Sequence, residues 1–400
     1  MWGLNALKAG WQQWRGKPAA ASWPGVNLVG YATGGLGLGE TLRRFAEVLE
    51  QHGLAHSVVD VDVNLGGRAR ELRLAGRVAQ DNPYPVNLLF VNADQLPDVK
   101  KHLGASFFQD RVNIAYWFWE LERFPQAWSA AFSEVDRVWA ATRFVRDALA
   151  PWAAHAVHLV PHPVPEPAVA PLGAGHFGLP EVADGPSCVF LSVFDFHSYL
   201  SRKNPWAVIR SFRQAFARGD EPVTLIMKSI NGHQAPQLMA TLAEAAQGDP
   251  RIRFMDAFMP HRELMALMNH CDVLVSLHRS EGFGQGLAEA MLLGKPVVAT
   301  GYSGNLDFMT EDNSVLVSAR LVPLGADDYP YGQGQFWAEP NEHEAAVAMA
   351  RLASNPSLRR ALGRRARSAV QTTNGGSACV QALVQGLAVA GVGRPGLPQA

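Results

Sequence analysis

The stretch "HRSEGFGQGLAEAMLLGKPVVAT", residues 278–300, combines a glycine-rich loop with two carboxylates, Glu281 and Glu289. The loop glycines stand at positions 282, 284 and 286. Small and apolar residues follow the loop with helical spacing, and an apolar run precedes it. We therefore predict a strand over 271–277, then the glycine loop, then a helix that begins near Gly286.

This loop and helix start are suited to binding a phosphate. A helix start presents unpaired backbone N–H groups and a partial positive charge, and glycines let the backbone approach a ligand closely. Glu289, on the first turn, can accept two hydrogen bonds from a vicinal diol such as a ribose, and Glu281 can hold a second polyol. The structural alternative is that both glutamates are solvated, with Glu289 merely complementing the helix dipole.

Short apolar runs rich in β-branched residues alternate with helical patterns along the whole chain. In the first half these runs cover residues 26–32, 56–63, 86–92, 112–119, 137–142 and 156–162. In the second half they cover 188–194, 223–229, 251–256, 271–277, 296–300 and 314–317. Runs that are apolar on both faces are typical of parallel strands covered by helices. The pattern predicts an α/β fold with two Rossmann-like, doubly wound parallel sheets.

The chain has 400 residues, more than one hydrophobic core usually serves, so we expect two domains. A stretch rich in proline and glycine, residues 161–187, is typical of a connection between them. The predicted division is an N-terminal domain over 1–165, a linker over 166–187, a C-terminal domain over 188–375 and a partly disordered segment over 376–400. Because ligands bind at the carboxyl ends of doubly wound strands, a site is expected in the cleft between the sheets.

Composition excludes some classes of partner. The net charge is −1, so nothing favours nucleic-acid binding. The three cysteines match no metal or disulfide spacing, which suits a cytoplasmic protein. No apolar run is long enough for a membrane span. Residues 2–17 have the spacing of an amphipathic helix with basic residues nearby, which predicts either a contact with the inner face of a membrane or a helix packed on the first domain.

A second polar cluster, "SRKNP" at 201–205, follows the first predicted strand of the second half. Arg202 and Lys203 are adjacent in it, and Pro205 is a favoured first residue of a helix. Two cations in a strand-to-helix loop can neutralise a diphosphate leaving group. The alternative is a solvated basic pair.

Together these motifs resemble a known family. "SEGFGQGLAEAMLLGKPVVATGYSGNLDFM" resembles the E-x7-E signature of retaining glycosyltransferases of the GT-B fold, family 4, and "SRKNP" resembles that family's diphosphate-binding Arg and Lys. "VNLVGYATGGLGLGETLRRFAEVLEQHGL" (26–54) is similar to its first loop and helix. "GYSGNLDFMTEDNSVLV" and "YGQGQFWAEP" (331–340) resemble a bacterial polysaccharide-assembly branch. The resemblance covers most of residues 26–370.

The resemblance implies an enzyme that moves a hexose from a nucleotide diphosphate sugar to a glycan or lipid-linked acceptor, with retention of configuration. It implies no cofactor and no metal, because cationic side chains and helix amides stabilise the leaving phosphate. The implied site residues are Arg202 and Lys203 for the diphosphate, Glu289 for the ribose, Glu281 with Gly282, Phe283 and Gly284 for the donor sugar and phosphate, and Gly35 and Gly37 for the cleft wall.

Two departures from the family pattern affect the expected site. Many members carry a leucine where Gln285 stands, so the local donor contacts can differ. Many also place a histidine near the end of the fourth strand, but "YWFWELERFP" (116–125) contains none. Glu120 is the polar residue best placed to substitute as the catalytic group on the acceptor side, with Glu122 second.

Two histidines lie beside the donor motifs. His278 ends the strand before the glycine loop, where it can touch the donor, and His197 lies in the loop that leads to Arg202. Because the chain contains 13 histidines, most are structural. A structural role is therefore the alternative for both.

Parts of the sequence are compatible with four other functions. A dinucleotide-dependent oxidoreductase would use "GGLGLGE" (34–40) and Asp60, but the G-x-G-x-x-G spacing fails. A metal-dependent transferase could use Asp60 and Asp62 as a D-x-D pair. A glycosidase could use Glu281 and Glu289 as acid and nucleophile, but it would not need the cations. A catalytically inactive GT-B partner or scaffold should have lost the donor-site charges, which are all present, so an active enzyme is preferred.

Overall fold

Two parallel sheets of six strands each are present within the residues that the computed structural model describes, 23–63, 73–179 and 187–392. The first sheet contains β1 (Val26–Gly30), β2 (His56–Asp60), β3 (Val86–Phe90), β4 (Val112–Trp117), β5 (Arg137–Ala140) and β6 (His158–Leu159). The second contains β7 (Cys188–Asp195), β8 (Val223–Ile230), β9 (Ile252–Asp256), β10 (Val273–Ser276), β11 (Val297–Thr300) and β12 (Val315–Val317). Each strand overlaps one predicted run, so the predicted fold class is confirmed.

Helices connect most of the strands and cover the sheets. They are α1 (Gly37–Gln51), α2 (Leu96–Leu103), α3 (Ala105–Phe108), α4 (Arg143–Leu149), α5 (Leu200–Lys203), α6 (Pro205–Ala215), α7 (Pro236–Ala246), α8 (His261–His270), α9 (Gln285–Leu292), α10 (Glu342–Ala353), α11 (Pro356–Asn374) and α12 (Gly376–Val389). None of these described helices combines the length and the apolar character that crossing a membrane requires. The amphipathic pattern at 2–17 lies outside the described residues.

The strands are apolar on both faces because each sheet has a core on either side. In β1, Leu28 packs in one buried cluster and Val29 in another. In β7, Phe190 and Leu191 divide in the same way between two clusters of the second domain. Alternate side chains of a strand point to opposite faces, so a sheet covered twice needs apolar residues at every position.

Strand order brings particular loops together. The first sheet has the order β2-β1-β3-β4-β5-β6 and the second β12-β11-β10-β7-β8-β9. The order reverses between β1 and β3 in one sheet, and between β7 and β10 in the other. In open α/β sheets the crevice for a ligand lies at such a switch point, outside the carboxyl ends of the two strands. The loops after these four strands therefore define the expected site.

The end of the chain returns to the first domain. Helix α12 packs Val380, Leu383 and Leu387 into the core that β1 shares with α1. Within the segment over 376–400, for which partial disorder is predicted, residues Gly376–Val389 form α12, because the apolar face of this helix is covered by the first domain. Residues 393–400 lie outside the described part of the chain.

A two-stranded antiparallel sheet, which the sequence analysis did not predict, joins the domains a second time. It pairs β13 (Ala319–Pro323) with β14 (Phe336–Pro340). Leu324, Tyr329 and Trp337, on this hairpin and its connecting loop, are buried in the core cluster of the first domain. The hairpin thus extends from the second domain and packs on the first.

Candidate functional site

The switch point of the second sheet brings together three of the predicted residues. Arg202 and Lys203 lie on α5, after β7, and Glu281 lies in the loop after β10. Arg202 Nη1 is 3.2 Å from Glu281 Oε2, and Lys203 Nζ forms an ion pair with Glu281 Oε1. Because β7 and β10 are neighbours in the sheet, residues about 80 positions apart in sequence meet at its edge.

Burial and charge oppose each other in this cluster. Burial alone would raise the pKa of Glu281, but Lys203 and Arg202 outweigh it and lower that pKa to about 2. Burial lowers the pKa of Lys203, although Glu281 opposes the shift. For Arg202, burial is outweighed by Glu281 and the pKa is raised. Glu281 is therefore a carboxylate at neutral pH and holds two cations beside the glycine loop.

The glycine loop is anchored from the first domain. Thr142 Oγ1 donates a hydrogen bond of 2.8 Å to the carbonyl of Gly282, and Ser280 Oγ donates to the carbonyl of Glu120. Gly284 has a φ of +93°, a left-handed conformation that favours glycine, and α9 begins at the next residue. No side chain caps this helix start. The predicted loop and helix start are confirmed to within one residue.

A cavity of about 200 Å³ lies between the domains at this loop. Its lining from the second domain is Glu281, Gly282, Phe283, Gly284 and Gln285, and from the first domain Gly37, Leu38, Thr41, Asn92, Phe118, Glu120 and His162. It thus joins the switch points of both sheets. Six of the predicted site residues on the donor side meet here: Gly37, Glu281, Gly282, Phe283, Gly284 and Gln285. Arg202 and Lys203 reach this lining only through their pairs with Glu281, and Gly35, Glu289 and His278 are not part of it.

Glu289 is instead engaged in an interdomain ion pair. It is 4% exposed and pairs with Arg44 of α1, and its Oε1 also lies 2.8 Å from His261 Nε2 and 3.2 Å from Gln285 Nε2. Arg44 lowers the pKa of Glu289 against the effect of burial. Arg44 and Glu289 both line a second cavity, of about 250 Å³. The carboxylate predicted to hold a ribose is therefore occupied by a guanidinium of the opposite domain.

Glu120, the predicted acceptor-side residue, faces the cleft from the loop after β4. Its Oε2 accepts a hydrogen bond of 2.6 Å from Tyr329 Oη, so the β13–β14 connection fixes its position. The Arg202 guanidinium lies 5.9 Å from the ring of Tyr329. Glu122 is exposed and accepts a hydrogen bond of 3.0 Å from Tyr302 Oη. Of the two glutamates, only Glu120 lines the interdomain cavity of about 200 Å³, which we call the central cavity.

The two predicted histidines are not in the cavity wall. His278 is fully buried, with Nδ1 3.1 Å from Ser276 Oγ and Nε2 3.3 Å from Asn305 Oδ1, and burial lowers its pKa. His197 lies 2.9 Å from Gln234 Oε1, after β7. His278 therefore has a structural role beneath the surface of the glycine loop, through its contacts with Ser276 and Asn305.

A third histidine, His162, lines the cavity and was missed. Its ring stacks on Phe283 with centroids 4.7 Å apart and planes 11° apart, and its Nε2 is 3.1 Å from Thr41 Oγ1. Burial lowers its pKa to about 3, so the imidazole is neutral at physiological pH. The available signal was its place at the end of the sixth predicted strand, where the chain leaves the first domain.

One of the two aspartates in the alternative D-x-D metal site, Asp60, has a structural role in the fold. Asp60 accepts hydrogen bonds from the backbone N–H of Thr33, at 3.0 Å, and from Thr33 Oγ1, at 2.6 Å. Asp60 therefore holds the loop that follows β1.

Gly39, in the first turn of α1, packs closely on this loop. A Cβ at this position would lie 2.3 Å from the carbonyl oxygen of Tyr31, so no larger residue fits there.

Known proteins share parts of this architecture. Residues 193–369, less than half of the chain, match the family model described as "Glycosyl transferases group 1". A search of curated protein sequences found no match. Anabaena HepE in complex with UDP and glucose aligns with a TM-score of 0.60 and 16% identity, over 91% of this chain and 99% of HepE.

Two further solved structures are similar. Sucrose-phosphate synthase from Thermosynechococcus elongatus aligns with a TM-score of 0.64 and 17% identity, over 91% of this chain and 98% of the synthase. A mutant of S. aureus TarM in complex with Fondaparinux, alpha-GlcNAc-glycerol and UDP aligns with a TM-score of 0.55 and 12% identity, over 75% of this chain. The aligned part is 54% of TarM, so this chain spans about half of that protein. The fold is that of the GT-B glycosyltransferases, two Rossmann-like domains facing a common cleft.

Proposed function

We propose that this protein is a family 4 glycosyltransferase that moves a hexose from a nucleotide diphosphate sugar to a glycan or lipid-linked acceptor, with retention and without a metal. The observation that carries the proposal is that Glu281, which lines the interdomain cavity together with the start of α9, is paired with Arg202 and Lys203. Two cations and an uncapped helix start are the groups that a departing diphosphate requires.

In the proposed reaction, the bond between the anomeric carbon and the phosphate oxygen breaks, and its electron pair goes to the phosphate. Arg202 and Lys203 stabilise the charge that builds on that oxygen. The acceptor hydroxyl forms the new bond on the same face of the sugar, and its proton passes to the departing phosphate. Glu120, fixed by Tyr329, is the candidate for orienting that hydroxyl. Domain closure excludes water from the reacting carbon.

The solved relatives support the choice of donor. HepE has been crystallised with UDP and glucose and also with UDP-glucose, and TarM with UDP. We therefore infer a uridine diphosphate sugar as the first donor to test. Retention and the lack of a metal rest on the E-x7-E resemblance. A cytoplasmic location with contact to a membrane through residues 2–17 is part of the same proposal.

The proposal is tested with a panel of UDP-glucose, UDP-N-acetylglucosamine and GDP-mannose, by thermal shift and by release of the nucleoside diphosphate. A ligand that binds only the folded protein raises its melting temperature. We expect one donor to raise Tm and to be consumed, slowly by water and faster with an acceptor. Donor binding without any turnover would favour an inactive partner of another transferase, and no binding at all would reject the donor site.

A chelator supplies a separate test. In the proposed mechanism, Arg202 and Lys203 stabilise the departing diphosphate in place of a metal ion. EDTA is therefore expected to leave the rate of donor consumption unchanged. Addition of Mg²⁺ or Mn²⁺ to the treated enzyme should likewise have no effect. Dependence of the rate on either added ion would contradict the proposed metal-free mechanism while leaving the donor site intact.

A further inference from the structure

A larger groove lies beside the central cavity and has no role in the donor site. Its volume is about 780 Å³. It is lined by Glu122, Arg123, Phe124, Pro125 and Gln126 from the loop after β4, by Ala148, Pro151 and Trp152 at the end of α4, and by Tyr331, Gln333 and Gln335 from the β13–β14 connection. The loop after β4 thus faces both spaces, with Glu120 in the central cavity and Glu122 in the groove.

The lining has the chemistry of a carbohydrate site. Trp152 and Tyr331 are exposed at 37% and 49%, and both residues line the groove. The C–H face of a pyranose ring can pack on such rings, and the amide and guanidinium groups of Gln126, Gln333 and Arg123 can hydrogen-bond its hydroxyls. A concave surface with aromatic walls and a few polar groups is typical of small-molecule recognition.

The groove is built by groups that fix one another across the two domains. The backbone N–H of Arg123 donates to Gln335 Oε1 at 2.9 Å, and Gln335 Nε2 donates to the carbonyl of Tyr331 at 2.9 Å. The Arg123 guanidinium donates to the carbonyl of Gly334. Tyr331 has a φ of +56°, which is rare for a bulky residue, and so the fold holds an exposed tyrosine in a strained conformation.

Aromatic contacts connect the groove to the reaction centre. Tyr329, which donates to Glu120, contacts the ring of Trp119 at a centroid distance of 5.7 Å. Trp119 contacts Trp128 at 5.3 Å, and Trp128 contacts Tyr331 at 5.0 Å. A continuous series of ring contacts thus links Tyr329, which holds Glu120, to Tyr331 in the wall of the groove.

We propose that this groove binds the sugar units of a glycan acceptor that precede the reacting unit, so that the acceptor is an oligosaccharide rather than a single sugar. This inference rests on the proposed function and specifies its acceptor. Trp152 and Tyr331 stack on sugar rings, and Gln126 and Gln333 bond their hydroxyls. The β13–β14 connection, which supplies Tyr331 and Gln333 to the groove wall, would determine which glycans the groove accepts.

The test measures binding of cellotetraose, maltotetraose and chitotetraose to the full chain by tryptophan fluorescence and saturation-transfer NMR. We expect at least one tetrasaccharide to bind more tightly than its disaccharide. Trp152→Ala and Tyr331→Ala should each weaken that binding about tenfold or more. Phe336→Ala is the matched control, because Phe336 is 46% exposed on the same hairpin and lies outside the groove lining.

Failure of this proposal can be separated from failure of the proposed function. The nucleotide sugar that binds in the donor panel should raise the Tm of the wild type and of all three variants equally; if no member of the panel raises the Tm of the wild type, the donor site is rejected. If a donor binds but no tetrasaccharide does, or if Trp152→Ala and Tyr331→Ala leave tetrasaccharide binding unchanged, the groove proposal is wrong. Binding of alkyl glycosides that depends on alkyl length instead of the number of sugars would also overturn it, in favour of a lipid.

Discussion

Replacing Lys203 by alanine is expected to lower the turnover number for sugar transfer by about two to three orders of magnitude. The ammonium group is paired with Glu281 beside the glycine loop, and a preorganised charge at a leaving group contributes about this much to catalysis. The effect should fall on kcat more than on KM for the donor, because charge on the phosphate builds in the transition state. Steady-state kinetics with the accepted donor provide the measurement.

Lys100→Ala is the matched control for this variant. Lys100 is a partly exposed lysine of the first domain that pairs with Glu134, at 2.5 Å. Surface pairs of this kind contribute little, so its kinetics and Tm should match the wild type. Glu281 retains Arg202 in Lys203→Ala, so that variant should remain folded by circular dichroism. A folded Lys203→Ala enzyme with near-normal kcat would contradict the assignment.

Removing the two members of the Arg44–Glu289 pair is expected to change donor affinity in opposite directions. If Glu289 binds the ribose, Glu289→Gln weakens UDP binding by about 10- to 100-fold, the value of a hydrogen bond to a charged group. Arg44→Gln should tighten UDP binding several-fold, because Arg44 pairs with the carboxylate that the ribose hydroxyls would need. Isothermal titration with UDP, at a temperature where every variant is folded, provides both values.

The double variant Arg44→Gln/Glu289→Gln shows whether Arg44 affects UDP affinity through Glu289. Once Glu289 is a glutamine, Arg44→Gln should have little further effect on UDP affinity. Glu50→Gln, on the same helix as Arg44 and paired with Arg77 at the surface, serves as the control and should bind UDP normally. If Arg44→Gln weakens UDP binding as much as Glu289→Gln does, the pair acts only as a structural tie between the domains.

Local patterns predicted most of the fold. The runs around Leu28 and Phe190 are apolar on both faces because each sheet is covered twice, and this is visible in sequence. The helix starts at Pro205 and Gln285 follow from proline and glycine preferences. These features depend on near neighbours in the chain, so one sequence is enough to find them.

The features that were missed depend on contacts between the domains. Arg44 is a charged residue in an amphipathic helix, and nothing nearby indicates that its partner is 245 positions away. His162 stands among prolines, and its role depends on stacking against Phe283. The β13–β14 hairpin carries Tyr329 to Glu120 across the interface. Such pairings are set by domain packing, which no local spacing records.

The most direct test of the account is a crystal structure of the protein with UDP. We expect the diphosphate oxygens to lie about 3 Å from the cationic groups of Arg202 and Lys203. The ribose hydroxyls should lie on Glu289, with Arg44 released from it. UDP bound away from the interdomain cavity, or bound there while Glu289 still pairs with Arg44 and leaves the ribose uncontacted, would contradict the central claim.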